Sequence, residues 1–275
     1  MLPHISYCLL RSLEPVTKEC ASYPGAVKRG SPRPSSAVVR RPVVPEAASP
    51  SSRRPPRARY RELTLREIKD LAWEQVAEGG GAALSLNSIA RRMGLTGPAL
   101  YRYFANRDAL LTELVREGYR GLAEAVDAAV PGAGEADPEL RLRAFVHALW
   151  TWSAEMPHRY LLLFGTPVPG YAAPEDTFEQ AFRPMAVLFD VLAELPPGPA
   201  ETRAVSGGPL RDQLAGWVDA RGGEPLPPEV ALRAVRCWAR LHGLISLALV
   251  GQFTATGVDP EEVLRVELDA LLAGH

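Results

Sequence analysis

Three helix-capping residues, Ser85, Thr96 and Asn106, fall within the stretch SLNSIARRMGLTGPALYRYFANRDALL, residues 85–111. A side-chain oxygen at each place can accept from a backbone N–H in the first turn of the helix that follows, so the stretch reads as short helices joined by tight turns. Gly94 lies between the first two caps and supplies the permissive backbone that a tight turn needs. Gly97 and Pro98 are tolerated just after Thr96, because first-turn N–H groups have no intrahelical partner. Leu86, Ile89, Ala90 and Met93 share one face of the first helix, and Ala90 is small enough to let another helix cross closely. Leu100 and Phe104 point inward from the second. The spacing is that of a helix-turn-helix, a short helix followed by a second docked across it.

The flanking sequence extends the same reading. In TLREIKDLAWEQVAEGG, Thr64 is the expected cap, Leu65, Ile68, Ala72 and Val76 recur at helical spacing, and Gly79–Gly81 end the run. Asp108 sits in the positive first turn of a long helix that begins after Asn106 and connects the unit to the rest. Beyond Pro131 the spacing predicts helices over 138–155, 157–164, 175–195, 208–220, 228–252 and 260–273, separated by Gly- and Pro-rich breaks. No strand alternation of useful length is present. The expected fold is all-α: a helix-turn-helix, three-helix head over 61–108, joined to a larger helical bundle over 109–275 for ligand binding and dimerisation. Residues 1–60 carry ten Pro with many Ser and Arg, and are expected to be a disordered tail, or in large part to precede the natural start.

The formal charge of −1 hides a strong division. Residues 85–107 hold Arg91, Arg92, Arg102 and Arg107 and no acid, whereas residues 108–275 hold 13 basic against 24 acidic side chains. Residues 1–60 hold eleven Lys and Arg against three Glu. A compact basic unit on an acidic body points to a local anionic partner, with the acidic remainder kept away from it. Cys8, Cys20 and Cys237 form no disulfide or metal spacing. MLPHISYCLL lacks a basic start and a long apolar run, so no secretory signal is expected, nor any membrane span, and the location expected is cytoplasmic.

In a helix-turn-helix the second helix enters the major groove of DNA by its N-terminal turn. That turn is here Thr96-Gly97-Pro98-Ala99, small enough for close backbone approach, with Thr96 able to donate to a phosphate. Tyr101 and Tyr103 lie on a different face from Leu100 and Phe104, with hydroxyls free for the sugar-phosphate backbone. The run IARRMGLTGPALYRYFANRDALL resembles the N-terminal signature of the TetR-type transcriptional regulators. The matching residues are Ile89, Ala90, Gly94, Leu100, Tyr101, Phe104 and Leu111, with Leu95, Thr96, Tyr103 and Arg107 as chemically related replacements. The resemblance implies a cytoplasmic homodimer, usually a repressor, that leaves a palindromic operator when a small ligand enters its body. It also implies phosphate contacts for Ser85, Thr96, Tyr101, Tyr103 and Arg107, and leaves Gly97, Pro98, Ala99 and Arg102 as candidates at the base edges.

In the body, Trp238 and His242 stand one helical turn apart, followed by Gly243. His242 has no second metal ligand at suitable spacing and is expected to be packed and hydrogen-bonded, with Gly243 permitting a close helix crossing. The Trp-x-x-x-His-Gly pattern resembles a C-terminal domain of some TetR-type regulators. Helices 228–252 and 260–273, apolar over a wide arc, are the expected dimer seam. Trp150, Trp152, Met156, Tyr160, Phe164 and Phe182 are candidates to line a cavity for an apolar or aromatic ligand, with His147 and His158 as polar contacts. No cofactor or metal is expected. Two other readings stay open: a helical interaction or scaffold protein with non-specific DNA binding, and a helical enzyme, for which no phosphate loop, nucleophile elbow or metal set is present.

Overall fold

The computed structural model describes residues 56–174, 177–221 and 226–273, and every ordered element in it is helical. The tail expected over 1–60 lies outside the described residues up to residue 55. The head consists of α1 (Pro56–Gly79), a single 3₁₀ turn (Gly81–Ala83), α2 (Leu86–Arg92) and α3 (Gly97–Tyr101). The long α4 (Arg107–Ala129) leads into the body: α5 (Pro138–Glu155), α6 (Pro157–Phe164), α7 (Thr177–Glu194), α8 (Pro199–Ala204), α9 (Pro209–Arg221), α10 (Pro228–Leu249) and α11 (Pro260–Leu272). Among the described residues no helix is long and apolar enough to cross a membrane.

Local chemistry accounts for the head. Ser85 caps α2 by accepting from Ser88 N at 3.3 Å, and Asn106 caps α4 by accepting from Ala109 N at 2.8 Å. Gly94 has φ +66°, so a side chain there would strain the turn between α2 and α3. Ile68, Ala72, Trp73 and Val76 of α1 close over Leu86, Ile89, Ala90, Leu100 and Phe104, and Leu110, Leu111 and Leu114 of α4 complete the core. The connecting helix is therefore part of the head's core at its start and of the body's core further on, where Leu122 and Val126 are buried.

Two expectations about helix starts need correction. The first helix does not begin at Thr64 but at Pro56, and the Thr64 hydroxyl donates back to Tyr60 O at 2.9 Å as an interior residue. Proline suits a first helical position, and Pro56 marks the start that threonine was expected to mark. The segment between α7 and α9, expected as a break, contains α8. Its first turn is held by the Glu201 carboxylate, which accepts from Gly198 N at 3.2 Å.

A buried arginine locks that segment down. Arg233, on α10 and 2% exposed, donates to Glu201 Oε2 from Nε and Nη2 at 2.9 and 2.6 Å. Its remaining donors reach Leu192 O, Leu195 O and Pro196 O at 3.3, 3.0 and 2.6 Å. The guanidinium thus satisfies the carbonyls that end α7 and pairs its charge with α8, which is what makes burying it tolerable. Within the chain Gly243 serves no close crossing: it is exposed, and a Cβ built there meets nothing within 4 Å.

Candidate nucleic-acid interface

The head presents one polar face. Thr96, Pro98, Tyr101 and Arg102 are exposed, and Gly97, Ala99, Ser85 and Tyr103 are half-buried beside them. Beneath them Leu100 and Phe104 are only 1% and 8% exposed, so α3 is pinned by its apolar side while its other side faces outward. Thr96 holds the cap position of α3 in extended backbone, but its hydroxyl makes no capping bond. Arg91 and Arg92 are exposed on α2, and Arg92 pairs with Glu74 at 2.6 Å. The Arg61 guanidinium lies 5.5 Å from the Tyr103 ring centre, bringing a cation from α1 to the same face.

Arg107, expected at a phosphate, has a different partner set in this structure. Its Nη2 donates to Gly81 O at 2.7 Å and its Nε to Leu84 O at 3.1 Å, with Asp108 3.5 Å from Nη1. It ties the start of α4 to the turn after α1. The sequence shows a cation near the aromatic cluster; it does not show which carbonyls lie within that cation's reach.

Head and body meet at a charged junction. Glu117 on α4 lies 2.6 Å from Lys69 Nζ and accepts from Trp73 Nε1 at 3.2 Å, both on α1. From the body, Arg159 of α6 approaches Glu117 at 3.7 Å while its guanidinium lies over the Trp73 ring at 4.8 Å. Burial disfavours the Glu117 anion, but Lys69, Trp73 and Arg159 outweigh it and hold the carboxyl below its usual range. Sequence reading singled out none of these four. Lys69 and Trp73 share a face of α1, but Glu117 and Arg159 stand 44 to 90 positions from them, and nothing in local spacing brings those two in.

The body aromatics divide into two groups. Tyr160 and Phe164 cluster with Trp238 and His242: the Trp238 and Phe164 ring centres lie 3.8 and 4.5 Å from that of His242, and Tyr160 and Phe164 are 5.1 Å apart. The Tyr160 hydroxyl lies 2.8 Å from His242 Nδ1 and 3.0 Å from Ser246 Oγ. Burial pushes the Tyr160 hydroxyl up to about 12 and the His242 imidazole down to about 3, so both are neutral near pH 7. His242 is packed and hydrogen-bonded through Nδ1, while its buried Nε2 has no hydrogen-bond partner among the described residues. Trp152 is buried in the core, Trp150 packs against it, and Met156 and Phe182 are half-buried at the α5–α6 joint and on α7. His147 is exposed on α5, and His158 is half-buried on α6. Cys237 is buried, and burial raises its thiol to about 12. Among the described residues no three His, Cys, Asp or Glu side chains gather in a metal-holding group.

Comparison with known proteins covers both parts of this architecture. Residues 60–114 match the family model described as bacterial regulatory proteins, tetR family, and residues 142–271 match the tetracyclin repressor-like C-terminal domain. The HTH-type transcriptional regulator Rv1816 of Mycobacterium tuberculosis strain H37Rv is 34% identical over 222 residues, which is 78% of this chain and 94% of that protein. The HTH-type transcriptional regulator Mb1846 of Mycobacterium bovis gives the same figures. The crystal structure of the regulatory protein SCO4313 is 46% identical and superimposes with a TM-score of 0.65, over 80% of this chain and 100% of that one.

Proposed function

The chain belongs to the TetR family of helix-turn-helix transcriptional regulators, and from that premise we propose that it is a homodimeric repressor. In this reading two heads hold a palindromic operator until a small apolar ligand releases it. The carrying observation is the outward face of α3: Thr96, Pro98, Tyr101 and Arg102 are exposed together while Leu100 and Phe104 fix the opposite side. A rigidly docked short helix with small residues in its first turn suits close approach to base edges in the major groove.

Each residue then has a role. Gly97, Pro98 and Ala99 let the backbone near the bases, with Arg102 as the side chain able to reach a base edge. Ser85, Thr96, Tyr101 and Tyr103 supply hydroxyls to phosphates and set the register. Arg107 acts behind them by holding the turn at Gly81 in place. The chain performs no reaction; its work is binding.

The second copy would dock on α10 and α11. Leu247 and Val266 there are 48% and 56% exposed, apolar surface that a partner would cover. A two-fold axis through that seam would set the heads about one DNA turn apart, roughly 34–36 Å.

The test is footprinting of the purified protein on the duplex flanking its own gene, across a salt series. Protection of a palindrome with half-sites about ten base pairs apart is the expected result. Weak binding without a protected site, lost as salt rises, would instead leave a non-specific binder.

A further inference from the structure

The stripe of α1 that packs Leu65, Ile68, Ala72 and Val76 against the head core runs on toward the N-terminus through Arg61 and Arg57, at the same helical spacing. These first turns overhang the core. From Pro56 to Leu65 they extend about 13 Å at 1.5 Å per residue, and none of residues 57–63 is buried. Core packing therefore does not account for the overhang. Helix stability does not account for its arginines either. No acid stands in the first turn, and a cation there opposes the helix dipole, which favours anions at this end.

Less of the head's positive charge is available than its composition suggests. Arg92 is paired with Glu74 at 2.6 Å, and Arg107 is engaged with Gly81 O and Leu84 O. Arg57 and Arg61 take part in no ion pair among the described residues. Glu62 and Glu67, the acids of this part of α1, stand to either side of their stripe. The Arg61 guanidinium lies 5.5 Å from the Tyr103 ring centre, which joins the stripe to the face that carries Tyr101 and Arg102. A guanidinium stacked on a ring keeps its in-plane donors for a phosphate. Arg57 stands one turn further out, about 5–6 Å away between Cβ atoms.

We propose that the overhang of α1 is a second DNA-binding element, in which Arg57 and Arg61 take backbone phosphates just outside the half-site that α3 reads. The assignment rests on the DNA-binding reading above and adds a contact beyond the helix-turn-helix. The two cations stand in a row and do not converge, which suits a linear polyanion rather than a compact one. Residues 1–55, which lead into the overhang, carry nine Lys and Arg against three Glu, the same sign of charge. Residues 108–275, with 13 basic against 24 acidic side chains, repel a polyanion, so its approach is confined to the head. Phosphate contacts of this kind carry no base information. They fix where the head sits along the duplex and add affinity that falls with salt.

The experiment uses the full chain and the duplex protected in footprinting, or a mixed-sequence duplex where no site is protected. Arg57→Gln/Arg61→Gln is compared with Arg59→Gln/Arg66→Gln, which removes the same charge from the opposite side of α1. All four residues are exposed, so both variants should keep the native circular dichroism and melting temperature. Should the first pair melt early, Arg57→Gln alone carries the test at half the effect. The stripe variant is expected to lower the slope of log K against log salt by about 2 for each bound head, at about 0.9 per phosphate. It should also lose hydroxyl-radical protection of the backbone flanking the half-site while keeping protection inside it. The opposite-side variant should change the slope by less than half as much, and Arg57→Lys/Arg61→Lys should retain it. Equal slope changes in the two glutamine variants, or flanking protection that survives the stripe variant, overturn the proposal. A slope difference kept on mixed-sequence duplex with no palindrome protected would strike the operator reading and leave the α1 contact standing.

Discussion

Arg107 Nη2 donates to the Gly81 carbonyl at 2.7 Å, so the first residue of the connecting helix is bonded to the turn that ends the first helix of the head. Arg107→Ala should weaken operator binding by loosening the head while leaving the slope of log K against log salt nearly unchanged. A residue on a phosphate would instead lower that slope by about 1 when removed. Filter binding at three or four salt concentrations separates the two. Arg107→Lys should restore little, because one ammonium does not reproduce the fork that reaches both Gly81 O and Leu84 O.

Arg102 is exposed at the C-terminal cap of α3 and should behave in the opposite way. Arg102→Ala is expected to leave the melting temperature within error. It should also change which base pairs are tolerated in the half-site, with a cost of about 1–3 kcal/mol for the preferred sequence. Binding to a panel of single-substitution half-sites reads this out. A uniform loss across the panel would reassign Arg102 to the backbone.

Gly81 touches Val168 and Leu162 so closely that a methyl group has no room. Gly81→Ala should therefore destabilise the chain by about 1–3 kcal/mol, as overpacking does. Val168→Ala, which removes the nearest atom, should recover much of that loss in the double variant. Urea midpoints of the four proteins give the coupling, and additive effects would place the strain elsewhere.

The Arg233–Glu201 pair is buried on both sides. Arg233→Met removes the cation and leaves the Glu201 carboxylate and three main-chain carbonyls without it, at an expected cost of about 3–5 kcal/mol. Adding Glu201→Gln should return part of the loss, since the buried carboxylate would otherwise keep only the half-exposed Arg236, 3.6 Å away, as its cation. Burial opposes ionisation of Glu201, but the Arg233 and Gly198 hydrogen bonds outweigh it and hold the carboxyl below its usual range. Its contribution is thus complete above the unfolded value of about 4.3 and falls as pH drops through the folded one. Glu201→Gln should flatten that part of the acid limb in urea denaturation.

His242 should set the pH dependence at milder acidity. Burial holds its imidazole at about 3, against an ordinary 6.5. The unfolded chain takes up the proton first, so stability is expected to fall as pH drops from about 6.5 towards 3, by up to about 1.4 kcal/mol per pH unit. His158, also lowered by burial and by Arg159, acts in the same direction more weakly. His242→Gln should remove most of the slope between pH 6.5 and 5 in urea titrations. An unchanged slope would show that the ring is protonated in the folded chain.

The head was legible in the sequence because its signals are local. Ser85, Gly94, Thr96 and Asn106 each constrain the backbone within one or two turns of themselves, and Leu86, Ile89, Leu100 and Phe104 declare their faces by spacing alone. The same local logic marked most of the body helices. It failed where a local rule had two solutions: Thr64 suits a cap, yet Pro56 starts the helix, and α8 forms in a Gly- and Pro-rich segment because a distant arginine holds it.

By itself, then, the sequence determined most of the helices, the charged head and the outward face of α3, since each follows from side chains within a few residues of one another. Tertiary structure alone decided that Arg107 faces main-chain carbonyls, that Glu117 joins head to body, and that Arg233 is buried. Those relationships join positions from 23 to about 90 residues apart. Their distances are set by how packed helices cross, a property that hydrophobic periodicity along one helix does not carry.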